Sequence, residues 1–524
     1  MEDFSNTDKD VFVIHTKRMI DRGALLSRYS RTASMDIRDL YHKEFETNES
    51  RGVEFYRKVF LEYGDESVSE LVTAQMAVQN ISNIASKNIE EIRVGLSFLE
   101  KSSRYVRYDK KINGRYLFID PSRIGLSGRS AAEYTDACEQ LFDTYTSMYD
   151  PMMETVRNMF PINNFTFTPR DGNSEIEFDR LSLQDAAIAK KSYETSVRSR
   201  VLDDLRFLLP AGTLTNLGIS GNGRSFIDLV ARLKYAGDPE SVSLADSIYG
   251  ELIKEFPGLL ENAISERKQE ILRYGEAVQK LTTRNIERKA PDKLVSLSYF
   301  DDRNSSLDRV ISLLLYHNTS SLQGIGKIVK AMSTEEKYGL LKAIGDLRKN
   351  RRMKPPRAFE SVNYVFEVNT NFGAFRDLQR HRFLSIIRNP LSARYGYEIP
   401  DIIGSVDRYR RAFTTAMERA RAAYDIILDE SDPTKAQYVV PYAYRYPVAV
   451  TANLREITYF IELRSTPQAH NDLRRISIEM YNRIRSVHPE LSEIIRFADE
   501  GQYDLGRLKS ETRKERKIID YGER

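Results

Sequence analysis

A chain of 524 residues exceeds what one hydrophobic core usually serves, so two or more domains are expected. Hydrophobic residues at 41%, charged residues at 30% and a net charge of +3 describe an ordinary globular surface, with no pervasive basic face for DNA or RNA. The single cysteine, Cys138, excludes an internal disulfide and a cysteine-rich zinc site; no histidine spacing suggests a metal, no apolar run is long enough to span a bilayer, and the acidic start "MEDFSNTDKD" is unlike a secretory signal, so a cytoplasmic protein without a membrane partner is expected.

Taken in chain order, "SELVTAQMAVQNISNIASKNIEEIRVGL" carries helical spacing and is expected to be a helix. A stretch from about 110 to 195, with a helix-period middle and Gly/Pro/Asn-rich flanks, reads as a helical excursion that holds Cys138 as inert packing. "SERKQEILRYGEAVQKLTTRNIERKAPDKL" suits a connecting helix and linker over 263–299. "VNYVFEVNT" alternates like a strand and leads into "RHRFLSIIRNPLSARY", residues 380–395, which is expected to enter a helix. "ERARAAYDIILDE" and "REITYFIELRSTPQAHNDLRRISIEMYNRIRSV" are helical again, and the charge run of 501–524 reads as a frayed, solvated tail.

The chain repeats itself. "SSRY" at Ser102 to Tyr105 returns as "SARY" at Ser392 to Tyr395, 290 positions later, and Glu70 matches Glu360 at the same offset. Pro210, Asn222 and Arg224 match Pro441, Asn453 and Arg455 at an offset of 231. The smaller offset places about 59 extra residues in the first copy, within 110–195. Two domains of one fold, 1–262 and 300–500, are therefore expected.

Arg380, His381 and Arg382 form a cluster suited to a multiply anionic ligand, because guanidinium forks match phosphate and carboxylate. A histidine between two arginines should resist protonation. Composition alone leaves a solvated helix edge as the alternative.

Arg-His-Arg followed by Ser-x-Arg-Tyr resembles the signature of the flavin-dependent thymidylate synthases, the ThyX family, in which seven residues separate the arginine from the serine; here nine do. "PPRAFESVNYVFEVNTNFGAFRDLQ", "EYGDESVSEL" and both Pro and Asn-x-Arg segments extend the resemblance over most of each copy. The resemblance implies a tandem duplication of an α+β domain, each copy a sheet packed with helices, largely helical overall. It implies reductive methylation of dUMP to dTMP, with methylenetetrahydrofolate as carbon donor, FAD as hydride carrier and NADPH as reductant, and no cysteine nucleophile. The alternative is a degenerate, non-catalytic nucleotide-binding or structural protein.

Carried over residue by residue, the resemblance makes Arg380, His381 and Arg382 catalytic. Glu70, Asn222, Arg224, Glu360, Asn453 and Arg455 become cofactor-binding. Glu100, Ser102, Arg104, Tyr105, Arg206, Ser392, Arg394, Tyr395 and Arg464 become substrate-binding. Only the second copy has Arg-His-Arg, and only the first has Glu100 and Arg206, where the second has Gln437. Composite sites are therefore expected, with a homodimer standing in for the family's tetramer.

Overall fold

The computed structural model describes residues 3–32, 36–62, 66–170, 172, 174–283, 289–318 and 321–522. It is an α+β protein, largely helical, with nine strands among those residues. These are β1 (Thr73–Ser82), β2 (Leu96–Glu100), β3 (Thr166–Phe167), β4 (Ile176–Glu177), β5 (Leu214–Asn222), β6 (Val295–Phe300), β7 (Asn363–Asn371), β8 (Ser385–Ile387) and β9 (Arg445–Asn453).

The chain forms two compact units. The first holds residues 1–101, 118–131 and 212–288; the second holds 102–117, 132–211 and 289–524. They cut the chain differently from the repeat boundaries, because 102–117 and 132–211 of the first copy are grouped with the second.

Within the first unit an antiparallel sheet has the order β1-β5-β2; within the second the order is β6-β7-β9-β8. The pairing repeats the sequence offsets. Thr73 stands opposite Asn222 in β1 and β5, and Asn363 stands opposite Asn453 in β7 and β9. Adding 290 to the first strand and 231 to the second converts one register into the other. A slip of one residue would turn the apolar set to the wrong face, so Tyr364, Phe366 and Val368, all fully buried along β7, hold that register in place. Each such side chain contributes about 1.5–3 kcal/mol by leaving water.

The third strand pairs at a different offset. Ser97 in β2 and Ser385 in β8 occupy equivalent positions against Ser220 and Thr451, so the offset there is 288. By that offset Arg380, His381 and Arg382 correspond to Ile92, Arg93 and Val94. The two extra residues of the second copy thus fall after β8, between Ile387 and Ser392.

Each long strand feeds a helix capped by the strand's own end. Ser82 Oγ accepts from Ala85 N, Asn371 Oδ1 from Ala374 N, Asn222 Oδ1 from Ser225 N, and Asn453 Oδ1 from Glu456 N. The expected helix over 69–96 is instead β1 followed by the short helix Asn83–Ile89. A short apolar run reads with either period, and pairing with β5 decides the outcome.

Three other expectations change. The Arg-His-Arg motif leaves the helix Phe372–Leu378 and enters β8, so it sits in the turn between them rather than opening a helix. The 455–487 stretch breaks into Leu454–Arg464 and Asn471–Val487 around Pro467, which cannot donate to a helix ladder. The charged tail is the helix Leu508–Gly522, packed on Leu183–Leu205, with Lys191 Nζ 2.6 Å from Glu515 Oε2. The expected excursion carries the helix Gly128–Met159, with Cys138 buried, and the β3-β4 hairpin. The connecting helix is Glu266–Thr282; Lys268 ties it to Glu66 at 3.0 Å and Asp228 at 2.7 Å.

Candidate functional site

In the second unit, two segments of the first copy meet the second copy's motif. The helix Leu183–Leu205 delivers Asp203 and ends at Arg206; the turn after β2 delivers Ser102 to Tyr105. Helix Phe372–Leu378 carries Arg376 and Asp377, the following turn carries Arg380 and His381, and Leu454–Arg464 ends on Arg464.

Two carboxylates organise the guanidiniums. Arg104 grips Asp203 with two parallel hydrogen bonds, Nε to Oδ1 at 2.6 Å and Nη2 to Oδ2 at 2.7 Å. Asp377 lies 3.7 Å from Arg206 and 3.8 Å from Arg380, while Arg464 Nη2 donates to its backbone carbonyl at 3.0 Å. Arg376 Nη1 donates to Ser103 Oγ at 3.1 Å, and the Arg507 guanidinium lies 4.6 Å over the Tyr105 ring. Burial alone would raise the Asp377 carboxyl, but Arg206, Arg380, Arg464 and Arg104 outweigh it and hold the group far below the usual carboxylate range. Asp203 is held down in the same way, chiefly by Arg104. The guanidiniums of Arg206, Arg464 and Arg507 are lowered, first by burial and then by neighbouring arginines, with Asp203 and Asp377 opposing.

Arg206 is the least satisfied member. Its residue is 2% exposed, and neither Nε nor Nη2 has a hydrogen-bond partner among the described residues. A buried guanidinium in that state lacks acceptors that a ligand oxygen would supply.

His381 is buried and accepts a hydrogen bond at Nε2 from Arg464 Nε at 2.8 Å; its Nδ1 lies 3.8 Å from Glu456. Its ring packs edge-on to Phe460 at 4.8 Å. Burial lowers its pKa first, and Arg464 adds to that. The expected resistance to protonation is present in direction, yet the arginine responsible comes from another helix, while Arg380 and Arg382 are exposed.

The remaining candidates spread further. Glu100 is buried in the first unit, where Lys87 Nζ at 3.1 Å and Ser86 Oγ at 2.9 Å engage it. Ser102 and Ser392 each accept from the backbone N–H two residues on, at 3.3 and 3.2 Å, so one turn is built twice. Arg394 is exposed and pairs with Asp425 at 3.3 Å; Tyr395 is half-buried. Arg224 pairs with Glu70 at 2.8 Å on exposed side chains and Arg455 with Glu360 at 3.0 Å on half-buried ones, another repeated feature. Asn222 and Asn453 spend their side-chain oxygens on helix caps.

Sequence reasoning passed over Asp203, Asp377 and His470. His470 is buried beside Asp203, with its ring 5.9 Å from Phe207, and burial together with Arg206 lowers its pKa to about 4. The only signal was proximity: Asp203 lies three residues before Arg206, and Asp377 three before Arg380.

A profile described as thymidylate synthase complementing protein, Thy1, matches residues 13–258 and 308–490. The chain belongs to that family. A UPF0159 protein of Thermoplasma acidophilum is 52% identical to this Thy1 chain over 95% of its length and 99% of the relative's. A UPF0159 protein of Chlamydia muridarum is 33% identical over 97% of the chain and 96% of the relative. The flavin-dependent thymidylate synthase of Geobacter sulfurreducens is 29% identical over 25% of the chain and 60% of its own length. Among solved structures, a flavin-dependent thymidylate synthase of Helicobacter pylori complexed with FAD and dUMP matches 40% of the chain and all of its own at 18% identity and a TM-score of 0.29.

No described helix is long and apolar enough to cross a membrane, and no group of three or more metal-ligating His, Cys, Asp or Glu side chains occurs among the described residues.

Proposed function

We propose that this Thy1-family chain is a flavin-dependent thymidylate synthase-like enzyme that methylates dUMP to dTMP with methylenetetrahydrofolate and NADPH. The nucleotide phosphate binds the arginine cluster of the second unit. The observation carrying this reading is Arg206, buried and without a hydrogen-bond partner among the described residues, in a cluster where Arg104, Arg206, Arg376, Arg380, Arg464 and Arg507 gather around Asp203 and Asp377. Such a site remains electropositive after its internal pairs are made, and charge-assisted bonds to a dianion are the strongest it could form.

The donor set fits FAD in kind. Exposed Arg380 and Arg382 offer forks for a pyrophosphate, and Arg455 is close enough to the surface to exchange Glu360 for a ligand. When bound, the flavin supplies hydride transfer. The chain's own part is to orient the nucleotide through Arg104, Arg206 and Arg464, and to keep His381 neutral by burial so that its ring can donate or stack rather than repel a cationic neighbour. Two chains related by a dyad would supply the pseudo-tetramer.

The Arg104–Asp203 clamp favours a second reading: a nucleotide-binding protein that no longer turns over, because an internal carboxylate already fills one fork. The absorption spectrum and dUMP-dependent oxidation of reduced flavin separate the two. Bound flavin with oxidation that Arg206→Gln abolishes supports the enzyme. A colourless protein that FAD does not reconstitute, yet that binds dUMP, supports the second reading; absence of dUMP binding defeats both.

A further inference from the structure

A cavity of about 940 Å³ opens in the second unit on a different face of the helix Leu183–Leu205 from Arg206. Arg200 lines it, and Arg206 does not. At 100° per residue the six positions between them turn the helix by about 600°, so the two side chains leave it about 120° apart. None of the arginines or carboxylates of the cluster lines this cavity.

Arg200 is the anomaly. Its side chain is 14% exposed, yet its Nε is buried without a hydrogen-bond partner among the described residues. Its two ion pairs are long, 3.8 Å to Asp204 and 3.6 Å to Asp401, and the Asp401 side chain is 85% exposed. Burial pushes the Asp204 carboxyl up to about 6, with Arg200 the largest influence opposing it, and Asp204 in turn is the main cause that raises the Arg200 guanidinium. The contrast is Arg474 on the same wall, whose guanidinium is satisfied by the carbonyls of Ser465, Asp499 and Gly501. Leaving a buried guanidinium N–H without an acceptor is costly, and native structures fill such gaps with water, an ion or a ligand.

The surroundings limit what fills it. Leu294, Ile402 and Ile478 give an apolar wall, and exposed Lys293 lines the cavity with Arg474, Arg475 and Arg483, beside the carboxylates of Asp401, Glu479, Glu500 and Asp504. A bare inorganic ion would leave that wall wet, whereas an anionic head with an apolar body would satisfy both sides.

We propose that this cavity binds a small organic oxyanion, its carboxylate or phosphate head taken by Arg200 and its body lying on Leu294, Ile402 and Ile478. The site is separate from the dUMP site and stands whether or not that one is catalytic. Crystals of the full chain soaked in sodium tungstate give a site-resolved test: a tungstate peak is expected in contact with the Arg200 guanidinium, and density confined to the Arg206 cluster, or none, overturns the proposal. Calorimetric titrations with succinate and with inorganic phosphate then tell carboxylate from phosphate recognition. Arg200→Gln should weaken the binding probe by about tenfold or more. Lys293→Glu, on an exposed side chain that folding does not need, should weaken it several-fold. Unchanged affinity in Lys293→Glu together with a folded Arg200→Gln that binds normally would overturn the assignment.

Discussion

Pro210 and Pro441, each the repeat equivalent of the other, stand opposite one another in an antiparallel bridge. The hydrogen bonds around them are reciprocal: Ala211 N donates to Val440 O and Tyr442 N to Leu209 O, both at 2.9 Å. Adding 231 to the donor and subtracting it from the acceptor turns one bond into the other, so these two segments meet about a local two-fold inside the second unit. An isolated fragment of residues 300–524 would lose this pairing and would also lose the helix Leu183–Leu205 from the face of Leu508–Gly522. It should show no cooperative unfolding transition by circular dichroism; a sharp transition would mean that the second copy is self-sufficient.

The two Ser-x-Arg-Tyr turns should differ in consequence despite their shared geometry. Arg104 is clamped within the cluster, whereas Arg394 reaches an exposed Asp425. Arg104→Ala is expected to weaken dUMP binding by about tenfold or more and to cost about 3–5 kcal/mol of stability, because Asp203 is left buried and uncompensated. Arg394→Ala should change stability by less than about 1 kcal/mol and dUMP affinity by less than about twofold. Calorimetry and urea unfolding of both variants check this.

Lys87 is fully buried between Glu90 and Glu100 in the first unit. Lys87→Met leaves two carboxylates without their cation and should destabilise by about 3–5 kcal/mol, whereas Lys87→Met combined with Glu90→Gln and Glu100→Gln should recover much of that loss. Denaturant midpoints of the single and triple variants give the comparison.

Acid should weaken the fold in two stages. Unfolded, His470 takes a proton near 6.5; folded, burial and Arg206 delay that to about 4. The unfolded chain therefore binds more protons in this window, and stability falls as pH drops from 6.5 toward 4, by on the order of 3 kcal/mol. His381 and His488, also lowered by burial, act in the same direction. Asp203 and Asp377, held below their usual 3.8, contribute stability that is present above that value and lost as pH falls beneath it. His470→Asn keeps a helix-capping side chain, so it should flatten the upper stage and leave the lower one; an unchanged profile from pH 6.5 to 4 would show that His470 is not the group responsible.

The duplication was legible because register depends on residue counting: equal offsets at Glu70, Asn222 and Arg224 became equal strand pairings. The arginine cluster was half legible. Guanidiniums announce themselves in a sequence, and Arg104, Arg206 and Arg464 do meet Arg380 and His381. Their counter-charges do not. Asp203 in "VLDDLRF" looks like any helical aspartate, and only tertiary packing turns it toward Arg104 rather than solvent. Glu100 shows the reverse: its spacing to Ser102 suggested the cluster, but β2 holds it against Lys87 instead. The strand β1 was misread because local period cannot report a partner 140 residues away.

That partner also sets a timetable. β5 is the middle strand of the first sheet, so β1 and β2 have nothing to pair with until Leu214–Asn222 exists. During synthesis at about 5–20 residues per second, the roughly 120 residues after Lys101 take about 6–24 s to follow, and for that interval two strand edges remain open. A nascent chain in this state is a target for strand addition by a neighbour, which makes the supply of β5, rather than the strength of any contact, the step at which the first unit is most exposed to aggregation.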